Sequence, residues 1–286
     1  MASFVIFTDS STDLPEEWVK RYELEVVQLH LTVSGKEEDP EALDVHTFYD
    51  RLRNGEVAST AAPSPGEYAE RMEKFLQNGQ DILYIGFSEA LSATYNNAKV
   101  AMDDLSARYP ERKLFAISSL CASTGHGLLV LLAAKQREAG KTIEEVRDYT
   151  VETVPHLCHW FTVDDLMFLK RGGRISATTA LMGTMLGIKP VLHVDDLGRL
   201  INVSKTRGRK ASVAALFDKV KATAIEPSTQ LMAICHGDCI EDAKGLAERL
   251  KSELSVPEVI ISPTGAVIGA HSGPGTLAVF FLGTGR

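Results

Sequence analysis

Short apolar runs alternate with longer amphipathic segments through the first half of the chain. Apolar runs of strand length lie at residues 4–8, 26–33, 82–87 and 114–118. Apolar residues with helical spacing lie at residues 15–21, about 92–109 and about 127–139, and another amphipathic helix begins near Pro65. This alternation predicts a parallel sheet with helices on its faces.

The pattern changes after a predicted helix that ends near Val154. Five more strands are predicted at residues 189–194, 200–203, 231–236, 259–262 and 277–282, and a hairpin signal, Asp195-Asp-Leu-Gly198, joins the first two. We therefore expect an α/β protein of two domains. Residues 1–155 form a parallel-sheet domain and residues 156–286 form a domain with a mixed or antiparallel sheet. A small ligand is expected in the cleft between them.

Three predicted strands end in turns rich in hydroxyl groups, at residues 8–13, 88–94 and 118–124. The carboxyl ends of parallel strands meet at one edge of a sheet, so these turns should lie together where ligands usually bind. Helix capping is the structural alternative for each turn. Asp13, with Glu16 three residues later, is typical of a helix start.

Composition narrows the range of functions. The chain has 286 residues, 44% of them hydrophobic and 24% charged, with a net charge of −8. An acidic protein is a poor non-specific binder of nucleic acid. The amino terminus lacks the pattern of a secretory signal, so a cytoplasmic location is expected. Residues 114–134 carry no fixed charge, but their polar centre predicts a buried strand, a turn and a buried helix instead of a membrane segment.

The segment 268–276, Ile-Gly-Ala-His-Ser-Gly-Pro-Gly-Thr, places His271 and two hydroxyls among glycines and a proline. Glycine allows the backbone N–H groups to converge on an anion, and histidine adds a donor that titrates near neutral pH. The sequence therefore predicts a loop that binds a small anion, with a simple surface turn as the alternative.

Other arrangements suggest different chemistry. Ser88 follows a strand in a Gly-x-Ser context, which leaves open a serine hydrolase that uses Ser88 and His271, although Ala90 replaces the expected second glycine. Cys235 and Cys239 have no second pair of metal ligands, so no metal site is expected. Nucleotide-binding motifs are absent from the sequence, which disfavours a phosphotransferase.

Further residues fit a binding cleft. Thr60 precedes two prolines that fix an extended backbone, which leaves its hydroxyl available to a ligand. Residues 168–175 and 205–210 concentrate seven basic side chains, which suit a carboxylate, a phosphate or an acidic partner. Met182 and Met185 are expected in the core or along a flexible apolar tunnel.

Seven motifs in order along the chain resemble the DegV family of bacterial fatty-acid-binding proteins. They are the segments 8–15 and 60–65, Leu91-Ser-Ala-Thr-Tyr95, and the segments 168–175, 187–190, 207–210 and 268–276. The resemblance implies a long-chain fatty acid such as palmitate or oleate, buried between two α/β domains, and no other cofactor. It also implies that Thr60, Ser92 and the N–H of Ala93 hold the carboxylate and that His271 lies beside it.

The resemblance extends to a partner. Family members that serve a fatty-acid kinase present the bound acid for phosphorylation, and their basic loops help to dock the kinase. Arg174 and Arg207 match those loops, so the resemblance implies partner docking or phosphate contact for both. Two positions depart from the family pattern: Ala61 stands where serine is usual, and Ala93 stands where glycine is usual.

Overall fold

The computed structural model describes residues 4–176 and 187–286 of the chain. The first half contains a parallel sheet of four strands in the order β2-β1-β6-β7. These strands are β1 (Phe4–Asp9), β2 (Leu24–Val27), β6 (Asp81–Gly86) and β7 (Leu114–Ser118). A smaller antiparallel sheet, in the order β4-β3-β5, consists of β3 (His30–Val33), β4 (Lys36–Glu38) and β5 (Ala58–Ala61).

The second half contains a mixed sheet of six strands in the order β10-β9-β8-β13-β11-β12. Its strands are β8 (Leu157–Thr162), β9 (Ile188–Val194), β10 (Leu200–Arg207), β11 (Leu231–His236), β12 (Glu258–Pro263) and β13 (Leu277–Leu282). The β11–β12 pair is parallel, whereas the other pairs are antiparallel. The α/β fold with a parallel sheet followed by a mixed sheet confirms the fold class predicted from the sequence.

Helices follow most of the strands. They are α1 (Glu16–Arg21), α2 (Val45–Arg53), α3 (Pro65–Gln77), α4 (Thr94–Arg108), α5 (Ser123–Glu138), α6 (Ile143–Thr153), α7 (Leu166–Arg171), α8 (Arg209–Thr223), α9 (Ile240–Leu254) and α10 (Ala266–Ser272). Among the helices in the described ranges, none combines the length and the apolar character that a membrane crossing requires.

Helix α5 joins the two main sheets. Its residues from Ser123 to Leu131 are all buried, and the helix packs against β1 as well as β8, β11 and β13. The largest apolar cluster consequently includes Ile6 and Leu83 of the first sheet together with Phe161 and Phe280 of the second. A helix with apolar residues on all sides is expected in such an interior position. The uncharged stretch 114–134 is therefore a buried strand, a turn and a buried helix, as its sequence predicts.

Some local predictions were wrong. The single strand expected at 26–33 is two strands, β2 and β3, which belong to different sheets. Asp13 does not cap α1, because that helix begins at Glu16 after Pro15 and has no side-chain cap. Asp13 instead has positive φ and accepts hydrogen bonds from the N–H of Gly265, 3.0 Å away, and from the Ser123 hydroxyl. It thus ties the β1 edge to α5 and to the start of α10.

Candidate functional site

A cavity lies between the two main sheets, next to the start of α5. The unoccupied space between its walls, including the opening to solvent, is about 750 Å³. Most of its exposed wall is apolar, and both halves of the chain contribute to it. Phe87 and Leu91 come from the loop after β6, and Phe161, Leu200, Val267 and Phe280 come from the second half. The polar groups that line it include Thr60, Ser92, Arg174, His271 and Ser272.

Thr60 and His271 form the most direct contact in the polar part of the cavity. Side chains alternate along β5, so Thr60 lies on the inner side while Ser59 is exposed. His271 lies in the last turn of α10, and its Nε2 is 2.7 Å from Thr60 Oγ1. Residues 211 positions apart in the chain therefore share one hydrogen bond.

His271 is neutral at physiological pH. Burial and, to a smaller extent, the positive charge of Arg174 lower the pKa of its imidazole from 6.5 to about 4. The other ring nitrogen, Nδ1, packs so closely on Gly172 that a Cβ at that position would lie 2.3 Å from it. A neutral imidazole positions the Thr60 hydroxyl through a hydrogen bond and adds no charge of its own.

Ser92 lies just before α4, where the second hydroxyl-rich turn meets the cavity. Its Oγ is 2.7 Å from Thr94 Oγ1 and accepts a hydrogen bond from the Thr94 N–H at 3.3 Å. If Thr94 donates in both contacts, the hydroxyl hydrogen of Ser92 is left for a ligand. Helix α4 begins at Thr94, and its N-terminus adds partial positive charge nearby.

Ala93 occupies the N-cap position of α4, and its side chain is exposed. It does not belong to the cavity wall among the described residues. The hydrogen bond expected from its N–H to a carboxylate therefore stays a prediction.

Arg174 lies inside the cavity wall, although sequence reasoning connected it with partner docking or phosphate contact. Its Nε donates to the Leu91 carbonyl at 3.0 Å, and its Nη1 donates to the Gly172 carbonyl. Burial lowers the pKa of its guanidinium, and its charge acts on His271. The basic side chain thus belongs to the same polar group as Thr60 and His271.

Arg207 lies elsewhere. It is the last residue of β10, the edge strand of the six-stranded sheet, and its side chain is exposed. Arg209, in the same basic segment, donates to Asp242 at 2.8 Å and to the Gly275 carbonyl at 2.6 Å, which is a structural role. The two basic segments therefore contribute one cavity residue, Arg174, and two exposed arginines, Arg171 and Arg207.

The prediction of an anion-binding loop at 268–276 was wrong for the first half of that segment. Residues 266–272 form α10, because the apolar run before His271 packs as a short helix against α2 and α7. Gly273 and Gly275 adopt positive φ after the helix, and the N–H groups of both donate to backbone carbonyls. His271 reaches the cavity as a helix residue and not as part of a backbone nest.

The structure gives no support to a nucleophilic serine at position 88. Ser88 is fully buried, and its hydroxyl donates to the Gly198 carbonyl at 2.9 Å. The Nε2 of His271, which would act as the base, instead contacts Thr60. Each member of the expected pair thus has a different partner.

The potential metal ligands also have other partners within the protein. Cys235 is buried next to Ser123, and the Cys239 thiol lies beside Arg209. In the described ranges, His46, Asp50 and Asp238 form the one group with metal-ligand spacing. The Arg53 guanidinium contacts both carboxylates of that group, so a cation is already in place.

Sequence reasoning missed most of the apolar wall. Phe161 and Phe280 face the cavity from the middle strands β8 and β13, where buried aromatic residues read simply as core. Met182 and Met185, expected in the core or along a tunnel, lie outside the described residues. Ser272, which follows His271, is a further polar wall residue whose Oγ is buried without a hydrogen-bond partner in the described chain.

Comparison with known proteins supports a single family over the whole length. A family model described as "Uncharacterised protein, DegV family" matches residues 3–284. A DegV domain-containing protein of Clostridium perfringens is 42% identical, and the match covers 99% of this chain and 98% of that protein.

Two solved structures have the same fold. A DegV lipid-binding protein from Thermotoga maritima is 30% identical with a TM-score of 0.86, and the match covers 99% of both chains. A DegV family protein from Thermus thermophilus, described by its fatty-acid binding, is 27% identical with a TM-score of 0.87 over 97% of this chain and 98% of that one. On the strength of the family model and the relatives together, this chain belongs to the DegV family.

Proposed function

We propose that the protein binds a long-chain fatty acid in the cavity between the two sheets and acts as its carrier without turning it over. The observation that carries the proposal is the division of the wall into a long apolar part and one compact polar group. The two-domain arrangement, residues 1–155 and 156–286, supplies the cleft. The lipid and the fatty acid bound by the two solved relatives support the same ligand class.

In this proposal the apolar wall binds the acyl chain and the polar group binds the carboxylate. Burial of the acyl chain contributes about 0.8 kcal/mol for each methylene removed from water. A carboxylate taken into the same cavity costs free energy unless donors surround it. Thr60 and Ser92 are the donors we assign to it, with the Ala93 N–H as a third. The guanidinium of Arg174 and the buried hydroxyl of Ser272 belong to the same cavity wall.

His271 completes this head-group arrangement without acting as a base. Its neutral ring holds Thr60 at 2.7 Å, so the hydroxyl is oriented before the ligand arrives. Pre-orientation reduces the entropy lost on binding. The same site leaves the carboxylate near Arg174, and the bound acid would be presented to a fatty-acid kinase, with the exposed Arg207 available for docking.

Solvent extraction of the purified protein followed by mass spectrometry tests the proposal. We expect a fatty acid close to one per chain. The double variant Thr60→Val and Ser92→Ala should bind it about 100-fold or more weakly, since the two hydrogen bonds to a charged group contribute about 1.5–3 kcal/mol each. Ser59→Ala, on the outer side of the same strand, is the matched control and should bind as the native protein does. Absence of any lipid, even after incubation with palmitate or oleate, would contradict the proposal.

A further inference from the structure

A depression in the protein surface lies directly outside the cavity. Its wall includes Leu91, Arg174 and Leu200, and the same three residues line the cavity, so they form a partition between the two spaces. Two other surface depressions border the cavity through a single shared residue each, Leu29 and Val267, and both of these are buried. Arg174 and Leu200 are partly exposed. The largest shared wall between the cavity and the surface is therefore this partition.

The partition forms where the two halves of the chain meet. Leu91 lies in the turn between β6 and α4, whereas Arg174 follows α7 and Leu200 begins β10. The Nε of Arg174 donates to the Leu91 carbonyl at 3.0 Å, which is one hydrogen bond between the halves at this point. Separation of the turn from the hairpin between β9 and β10 would connect the cavity with the depression outside.

A second hydrogen bond joins the turn to the hairpin. Ser88, three residues before Leu91, donates its hydroxyl to the carbonyl of Gly198, two residues before Leu200, at 2.9 Å. The contact is close, because a Cβ at Gly198 would lie 2.2 Å from Ser88 Oγ. Ser88 is fully buried and lies outside the cavity wall that the described residues form. Its hydroxyl therefore holds the partition closed without touching a ligand in the cavity.

The hairpin has its own internal hydrogen bonds. The Asp195 carboxylate accepts from the N–H groups of Leu197 and Arg199, at 3.0 and 2.9 Å. These bonds lie within the second half of the chain, so they persist when the hairpin separates from Ser88. The hairpin consequently moves as a unit, with Leu200 at its base.

We propose that the fatty acid enters and leaves the cavity through a passage between Leu91, Arg174 and Leu200. The hydrogen bond from Ser88 to Gly198 is the latch of this passage. The inference rests on the proposed function, because it specifies the route by which the same ligand reaches the same cavity. Ser88 is then a positioning residue that controls the rate of ligand exchange and not the affinity.

The exchange kinetics of Ser88→Ala test this inference. In a stopped-flow experiment, delipidated protein binds cis-parinaric acid, a fluorescent fatty acid, and excess oleate then displaces it. The variant lacks the latch in the closed state, whereas water pairs with the Gly198 carbonyl in the open state. We expect association and dissociation to be about 2- to 10-fold faster, the factor that corresponds to one neutral hydrogen bond, while Kd changes by less than about twofold.

Ser262→Ala is the matched control. The Ser262 hydroxyl donates to the Asp13 carbonyl at 2.6 Å, so it also joins the two halves, and it is buried as Ser88 is. Ser262 and Asp13 lie outside the described walls of both the cavity and the depression beyond the passage. This variant loses an equivalent hydrogen bond at a different point, so it should exchange ligand at the native rate.

Gly198→Ala disturbs the latch from the other side. The added Cβ would lie 2.2 Å from Ser88 Oγ and displace the hairpin, so both exchange rates should again rise. Amide hydrogen exchange measured by mass spectrometry shows whether the latch has loosened. In Ser88→Ala the segments 87–92 and 195–200 should exchange faster than in the native protein, whereas α6 should exchange at the native rate.

The outcomes separate the two proposals. Native ligand-exchange rates in Ser88→Ala, or native hydrogen exchange in its two segments, overturn the latch and leave the carrier function standing. An equal acceleration in Ser262→Ala also overturns it, because exchange then follows a general loosening of the two halves. If the native protein binds neither cis-parinaric acid nor oleate, the carrier function itself is overturned.

Discussion

His271 shows how much of the site depends on the surroundings of a single side chain. Its sequence context suggested an anion-binding residue or a general base. Burial beside Arg174 makes its imidazole neutral, and its Nε2 is committed to Thr60. A neutral ring that already has a hydrogen-bond partner is suited to orienting a hydroxyl, and this is the role that we assign to it.

The lowered pKa of His271 predicts a pH dependence of stability. The imidazole has a pKa of about 4 in the folded chain and 6.5 as its ordinary value. Between these limits the unfolded chain binds more protons, so the free energy of unfolding should fall as the pH is lowered from about 6.5 to about 4. The loss should be on the order of 3 kcal/mol, because one pKa unit corresponds to about 1.4 kcal/mol.

Urea unfolding of the ligand-free protein across this pH range checks the prediction. His271→Gln removes the titrating group while keeping a polar side chain, so the difference in stability between the native protein and this variant should change with pH. Below about pH 4 the difference should become constant. A difference that does not vary between pH 6.5 and 4 would show that the ring is not held neutral by the fold.

At the scale of elements, the sequence predicted the strands better than the connections. Apolar runs identified most of the strands but not β4, β5 or β8, and helical spacing identified α3, α4 and α5 but not α8 or α9. The pattern did not separate β2 from β3, because both are short apolar segments and only their hydrogen-bond partners assign them to different sheets. It also missed α10, whose glycine-rich sequence is typical of a loop but packs as a helix against α2 and α7.

The turn after α7 controls how closely that helix approaches α10. Gly172 has φ −70° and ψ −11°, which alanine adopts freely. Its essential property is the missing Cβ, which would lie 2.3 Å from Nδ1 of His271. The position of the head-group histidine thus depends on a glycine in another element, a relation that only the three-dimensional structure reveals.

Gly172→Ala should weaken ligand binding by displacing His271 from Thr60. We expect fatty-acid affinity to fall about 10-fold or more, because the hydroxyl loses its orientation, and stability to fall by about 1–3 kcal/mol, as in other overpacked sites. Fluorescence displacement and urea unfolding measure the two effects. Gly245→Ala in α9, where a Cβ meets nothing within 4 Å, is the control and should leave affinity unchanged. Native affinity in Gly172→Ala would contradict the assigned role of His271.

At the scale of the whole molecule, the cavity depends on both halves of the chain. Thr60 and Ser92 come from the first half, whereas His271 and most of the apolar wall come from the second. The sequence predicted the polar members, because hydroxyls at strand ends and a histidine among glycines are distinctive. It did not predict the apolar wall or the position of Arg174. In a sequence, nothing distinguishes an aromatic residue or a loop arginine that lines a ligand cavity from one that does not.

A ligand held by both halves should stabilise the fold as a unit. A ligand that binds only the folded state adds about 2.7 kcal/mol to the free energy of unfolding at a concentration 100 times its Kd. For a chain of this size, this corresponds to a rise in Tm of roughly 4–5 °C. Palmitate should produce this rise in delipidated protein, as measured by the thermal transition in circular dichroism.

Hexadecanol, which has the same chain without a carboxylate, should produce a much smaller rise, because Thr60 and Ser92 then face no charge. In the double variant Thr60→Val and Ser92→Ala the two ligands should give similar small shifts. Equal shifts with palmitate and hexadecanol in the native protein would show that the chain binds without the head-group contacts we assign.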